Sequence, residues 1–313
     1  MIITREVGSD GNLSPAAINL LDQVPIQQLF HTSHLLRHPD SIYRISLAKV
    51  GDAYCKVAET CLQKMDQFRE FTGSGFEINE LLAHQEHLLR CLQEHLEDCW
   101  LTLKTLVDPK NGTKDELFAD RYVIKSGLPG AKTFSAAIAD YKRSLRIANK
   151  LKHEQGRLRP VAMWFPGSVH LGYFLEGPNA QGQLGPSPEI HPDGGAISFA
   201  RDLGWHIFNI YRISEKLVDA VQGALEAQGV KVKIKARADS SWDRPLSLAV
   251  QIPDAYFKKD VQKRVATIRI GGEPRKLTVS FPENVWTVFP ATVKTACSYV
   301  IDGHNPTYKV PLP

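Results

Sequence analysis

Arg146, Asn149 and His153 stand in the run 141–160, YKRSLRIANKLKHEQGRLRP, at offsets of three and four residues. On a helix those offsets gather a guanidinium, an amide and an imidazole on one face. Lys142, Arg143, Arg146, Lys150, Lys152, Arg157 and Arg159 make the same run cationic, and within it only Glu154 opposes them. Arg, Asn and His on such a surface suit a phosphodiester. With Tyr141 as zero and 100° per residue, Phe134, Leu145 and Ala148 fall within about 40° of it, whereas Lys142, Asn149, His153 and Arg146 fall at roughly 80° to 140°. The polar groups therefore flank the core side of the helix. The plainer alternative is a solvated basic face whose C-terminal His is favoured by the helix dipole.

The elements that must hold this face read as helical over the first half of the chain. Residues 20–38 mix apolar and polar side chains up to Pro39, and residues 41–71 carry Ile42, Ile45, Ala48, Ala53, Val57 and Cys61 at helical spacing. Residues 77–107 form the strongest pattern, a seam through Ile78, Leu82, Leu89, Leu92, Leu96, Cys99 and Leu103. A segment near 116–125 leads to Leu128-Pro129-Gly130, and one long helix is expected over 132–153. The texture then changes. Strands are expected at 161–165 and 170–176 around Pro166-Gly167, followed by a Gly- and Pro-rich exposed loop at 177–195, a short strand at 196–200 and a helix over 205–228. Beyond Gly229, residues 230–237 (VKVKIKAR) alternate as a strand, and 265–270 and 276–281 flank a hairpin turn.

These expectations add up to an α+β protein. An N-terminal helical bundle spans 1–229 with a β insertion at about 157–202, and a smaller β-rich basic domain spans 230–313. The formal net charge is only +4, and the basic excess falls entirely in residues 157–313. Local clusters attract phosphate even at modest net charge. Five cysteines, with no CxxC pair, fit a reducing compartment. The start MIITREVGSD has no apolar leader, and no window approaches the ~18 apolar residues of a membrane span. A cytoplasmic protein without membrane attachment is expected.

The segment IANKLKHEQ, residues 147–155, resembles the closing helix of the HEPN superfamily, helical bundles that include many metal-independent ribonucleases of toxin–antitoxin, abortive-infection and antiphage systems. The family signature is an Arg, four to six residues and a His, often with Asn directly after the Arg. Asn149 and His153 match its Asn-x3-His part. The position before Asn149 is Ala148, so Arg146 supplies the Arg at the longest allowed spacing. The match covers one helix directly. The resemblance implies His153 as general acid or base around a ribose 2′-hydroxyl, Arg146 on the transition-state charge and Asn149 as orienting group. It further implies an RNA substrate, no cofactor, a homodimer that shares the site, and room for a regulatory protein partner. Lys142, Lys150, Lys152 and Arg157 would contact phosphate. A non-catalytic interaction protein, or a small-ligand sensor using the pocket between bundle and β part, remains open beside it.

Three other patterns carry weaker chemistry. His87, Cys91, His95 and Cys99 recur every four residues, but about 18 Å of helical rise separates the first from the last, so no single metal is shared. His31, His34 and His38 form a similar surface stripe. Lys231, Lys233 and Lys235 would line one strand face, continued by Lys258, Lys259, Lys263 and Arg264, as an RNA-docking surface or a lysine-guarded edge. No Walker loop, GxGxxG, HExxH or GxSxG occurs, so nucleotide-driven, nicotinamide, zincin and hydrolase readings lose their usual support. No metal site is expected.

Overall fold

The computed structural model describes residues 2–6, 13–69, 77–112, 116–165, 168–178, 182–192, 194–234, 239–257, 260, 266–271, 276–280 and 296–298. In chain order they form β1 (Ile2–Glu6), α1 (Ala17–Leu21), α2 (Pro39–Arg69), α3 (Asn79–Lys104), α4 (Ala119–Lys125), α5 (Ala131–Ser144), α6 (Arg146–His153), β2 (Arg157–Phe165), β3 (Ser168–Pro178), β4 (Leu184–Pro186), β5 (Ile197–Ser198), α7 (Phe199–Ala227), α8 (Asp243–Ala249), β6 (Thr267–Gly271), β7 (Lys276–Ser280) and β8 (Ala296–Ser298). The fold is α+β, with a helical N-terminal region and small antiparallel sheets.

Two long helices form the frame. Proline opens α2 and Asp40 occupies its first turn, both favourable at a helix N-terminus. The seam of α3 is buried through Leu82, Leu89, Leu92, Leu96, Cys99 and Leu103, and α2 packs along it. Helix α7 crosses this pair with its own apolar stripe, and its N-terminus is capped by Ser198, whose Oγ accepts from the Arg201 amide at 3.3 Å.

One sheet has the order β4-β3-β2-β8, with β5 also pairing β3. At the crossing with β5 the glycine in β3 is obligatory. A Cβ on Gly172 would stand 2.2 Å from the Ile197 carbonyl oxygen and 2.3 Å from the Phe257 ring. That close approach sets Ile197 beside Tyr173. The other sheet has the order β1-β7-β6, so the N-terminal strand pairs with residues near the far end of the sequence.

Several expectations change. The strand expected at 196–200 is only Ile197–Ser198, and the helix expected from 205 already begins at Phe199. Residues 20–38 are not a long helix: α1 ends at Leu21, Pro25 is extended, and a single 3-10 turn (Ile26–Gln28) follows. The helix expected over 132–153 is two helices that break at Leu145. Ser144 donates its hydroxyl to the Tyr141 carbonyl oxygen at 2.8 Å, and the Ala148 amide bonds Leu145 only three residues back. Side-chain bonding to a preceding carbonyl bends a helix, and the Trp205 indole N–H on Ser144 Oγ at 3.4 Å secures the bend. Residues 230–234 are not a strand. Gly229 takes φ 75°, its amide bonds Glu226, and the Val230 amide returns to Leu225 at 2.9 Å, a Schellman closure of α7. Val230 and Val232 then pack on the core while Lys231 and Lys233 are exposed. Lys235, Lys258, Lys259, Lys263 and Arg264 lie outside the described residues. Finally, the 177–195 segment is not simply an exposed loop, because Ser187 and His191 are buried in it. His191 Nε2 accepts the Leu175 amide at 2.8 Å and Nδ1 bonds the Gly195 carbonyl oxygen, also at 2.8 Å.

Gly229 marks the end of α7, and the apolar core continues across it. Trp242, Leu246, Ala249 and Leu277 belong to the same buried cluster as Leu13, Tyr54 and Ile207. Strand β8 pairs β2 and β7 pairs β1.

Candidate functional site

Helix α6 is short and strongly sided. Ile147 and Ala148 are buried, and Arg146, Asn149 and His153 are exposed on one face. Ala148 is 0% exposed, so the position just before Asn149 faces the core and has no room for an arginine. The last turn carries Lys150, Lys152 and His153 at the negative end of the helix dipole. Gln155, at φ 55°, turns the chain back so that the Gly156 amide reaches the Lys150 carbonyl oxygen at 2.9 Å.

The cations of this face are answered by acids from elsewhere. Arg146 Nη1 meets Glu189 Oε1 at 2.6 Å, and Lys150 Nζ lies 2.8 Å from Glu154 and 3.2 Å from Glu189. Hydrogen bonds from Arg146 and then Lys150 hold the Glu189 carboxyl below the usual range, while the Glu154 and Glu189 bonds push the Lys150 ammonium up. Asn149 Oδ1 accepts from Gln93 Nε2 at 2.8 Å, which ties α6 to α3. Lys142 is on α5, not α6, and pairs with Asp120 of α4 at 2.8 Å. Arg159 is buried on Glu176 at 3.0 Å, next to Arg157, which is exposed at the start of β2. His153 and Lys152 are exposed and make no hydrogen bond or ion pair among the described residues. Lys231 and Lys233 lie on the tail after α7, joined to α6 by no described ion pair or hydrogen bond.

Ile147 of α6 lines a pocket of about 240 Å³, and Tyr173, Asp202 and His206 give it a polar floor. Asp202 of α7 is the hub: its Oδ2 accepts from Gln85 Nε2 of α3 at 2.6 Å, from the Tyr173 hydroxyl of β3 at 2.8 Å and from His206 Nε2 at 3.2 Å. His206 Nδ1 in turn bonds the Tyr141 hydroxyl of α5 at 3.0 Å. Burial alone would raise the Asp202 carboxyl; the His206 charge, the hydrogen bonds from His206 and Tyr173, and the Arg201 charge outweigh it and hold the group below its ordinary value. Burial, then the Asp202 charge, pushes both tyrosines well above theirs, so they remain hydrogen-bond donors.

No group of three or more His, Cys, Asp or Glu that could hold a metal occurs among the described residues. In the His/Cys stripe of α3, His87 lies 3.6 Å from Cys91 Sγ and His95 3.9 Å from Cys99 Sγ, and His95 bonds Ser46. His34 Nε2 bonds the Val107 carbonyl oxygen at 2.8 Å. No described helix is long and apolar enough to cross a membrane. Comparison of the chain with family models, with curated proteins and with solved structures finds no match.

Glu189 and the Asp202 hub are the two features that spacing does not disclose. Glu189 arrives from 43 residues beyond Arg146. The hub had one local signal, an Asp-x3-His pair inside the otherwise apolar stripe of Phe199, Leu203 and Ile207.

Proposed function

We propose that the chain binds RNA through the exposed face of α6, in the manner the HEPN resemblance implies, and cuts it without a metal when two copies share the site. The observation that carries this reading is the co-facial, exposed placement of Arg146, Asn149 and His153. Arg146 and His153 are two turns apart, about 10 Å of rise, so they bracket a phosphodiester rather than meet on one atom. A second copy brings the arginine of one α6 to the histidine of the other. In that arrangement His153 moves the proton between the ribose 2′-hydroxyl and the leaving 5′-oxygen, Arg146 takes up charge on phosphorus, and Asn149 orients the phosphate. Lys142, Lys150, Lys152, Arg157, Lys231, Lys233 and Lys235 supply backbone contacts, and the defence or toxin setting, with a regulatory partner, comes with the same resemblance.

The Arg146–Glu189 pair decides how strong the brake on this site is. Both side chains are more than two-fifths exposed, and an exposed pair is worth about 0–1 kcal/mol. A phosphate displaces Glu189 at little cost. The same pair favours a second reading, a non-catalytic binding face in which Glu189 keeps Arg146 out of the chemistry.

Purified protein is expected to cut single-stranded RNA, with His153→Ala lowering the rate by about 100-fold or more. The melting temperature is expected to stay put, since the side chain is exposed. Equal cutting by the variant sinks the nuclease reading. RNA retention without cutting by either protein, with affinity falling in Lys150→Ala and rising in Glu189→Gln, selects the non-catalytic one.

A further inference from the structure

The Asp202 hub is asymmetric, with one carboxylate oxygen engaged by its neighbours and the other turned to the pocket. All three donors converge on Oδ2. Oδ1 has no donor among the described residues, yet Asp202 is only 8% exposed and lines the pocket. Oδ1 is therefore not sealed in the core but opens on the pocket. A carboxylate oxygen held rigid by three neighbours and turned on an open pocket is a prepared acceptor.

We propose that the pocket between α3, α5, α6, β3 and α7 binds a small organic cation, an ammonium or amidinium whose N–H groups bond Asp202 Oδ1 and whose apolar body packs on Leu89, Ile147, Ile190 and Ile197.

Charge selects the head group. The ionisable lining holds three acids, Asp140, Glu189 and Asp202, against Arg143, 3.8 Å from Asp140, and His206, whose Nε2 lies on Asp202 Oδ2 and leaves Oδ1 open. Glu189 is spent on Arg146 and Lys150, which leaves Asp202 as the acceptor at the floor. An anion meets a fixed carboxylate there, and a neutral hydroxyl forgoes the charge-assisted bond. Volume selects the body. A cavity of about 150 Å³ holds benzene, so about 240 Å³ takes one ring with a short substituent. The Tyr173 ring and four aliphatic side chains give that ring an apolar wall, and Tyr173 also donates to the hub, so the same residue shapes both ends of the site. The inference goes beyond the RNA reading and does not depend on it: the pocket is lined by the buried Ile147, the RNA face by the exposed Arg146, Asn149 and His153, and Glu189 borders both.

The test uses the full chain with four single-ring probes: benzylammonium, benzamidinium, benzyl alcohol and benzoate. Calorimetry and ligand-observed NMR are expected to show saturable one-to-one binding of both cations, with Kd on the order of 1 mM. Benzyl alcohol is expected to bind about tenfold more weakly or worse, as loss of a charge-assisted bond requires, and benzoate not to bind. Asp202→Asn should erase the preference for the cation. Because that variant disturbs a buried hub, Ile190→Trp provides a second arm: it fills the half-buried mouth, leaves Asp202 in place, and should abolish cation binding in a protein of unchanged far-ultraviolet dichroism. The inference is overturned if the alcohol binds as tightly as benzylammonium, if Ile190→Trp binds the cations unchanged, or if no probe binds up to about 10 mM.

Discussion

Asp202→Ala is expected to cost about 3–5 kcal/mol, the range for removing one partner from a buried charged network. The substitution takes a shared acceptor from three largely buried donors, Gln85, Tyr173 and His206, of which Gln85 keeps a second bond to the Tyr173 hydroxyl at 3.3 Å. Each buried donor left unpaired costs about 1–3 kcal/mol, and relief of the Asp202 desolvation penalty offsets part of the sum. Thermal melting should read a fall of about 5–8 °C for a chain of this size. Asp140→Ala is the control, since Asp140 is 72% exposed and its pair with Arg143 is loose; it should move stability by less than about 0.5 kcal/mol.

The hub also has a pH signature of known sign. The folded Asp202 carboxyl sits below its unfolded value, so its contribution is present above the unfolded value and is lost as pH falls through the folded one. A cost below about 1 kcal/mol for Asp202→Ala would mean that the hub does not tie β3 to α3 and α7. The rigidity on which the pocket argument rests would fall with it.

What could be read from the chain follows how far apart the determinants lie. The seam of α3 was legible because Leu82, Leu89, Leu96 and Leu103 mark one face within a single helix. The β2–β3 hairpin was legible from Pro166-Gly167 between two apolar runs. Strand β1 was not, because its partner is β7, more than two hundred residues away, and nothing local marks five residues as half of that pair. The break at Leu145 depends on Ser144 bonding back to Tyr141 and on Trp205 from another helix, so periodicity ran straight through it.

The candidate site divides the same way. That Arg146, Asn149 and His153 share a face is a property of spacing on one helix, and α6 has it. That Glu189 clamps Arg146 and Lys150 is a property of a distant loop, and the count of opposing acids within 141–160 missed it. The Asp202 hub draws one residue each from α3, α5 and β3 and two from α7, so no window contains enough of it to be seen. Residues 230–234 show the converse failure. Alternation of Val and Lys is genuine there in exposure, but a Schellman tail lying on the core produces it as well as a strand does.

Acidification is expected to weaken the fold through His95 by about 3 kcal/mol between about pH 7.5 and about pH 4. His95 lies in the α2–α3 interface, 2% exposed, with Ser46 on Nδ1, Cys99 Sγ 3.9 Å from Nε2 and the Tyr43 ring 5.2 Å away. None of these groups carries a negative charge to compensate an imidazolium. Burial therefore pushes the ring down to about 4, against about 6.5 in the unfolded chain. The unfolded state binds the extra proton between those values, so stability rises with pH through the window and is complete above it. His38 and His170 are also lowered by burial and act in the same direction, and the nearby Asp98 carboxyl is raised. The comparison must therefore be between proteins, not between pH values alone. Denaturant unfolding of wild type and His95→Gln at both pH values isolates the term, because every other group is common to the two. The wild-type advantage should shrink by about 3 kcal/mol on acidification. An advantage that holds constant would show that His95 takes up its proton inside the folded protein, which would require the α2–α3 seam to open to water at Ser46 and Cys99.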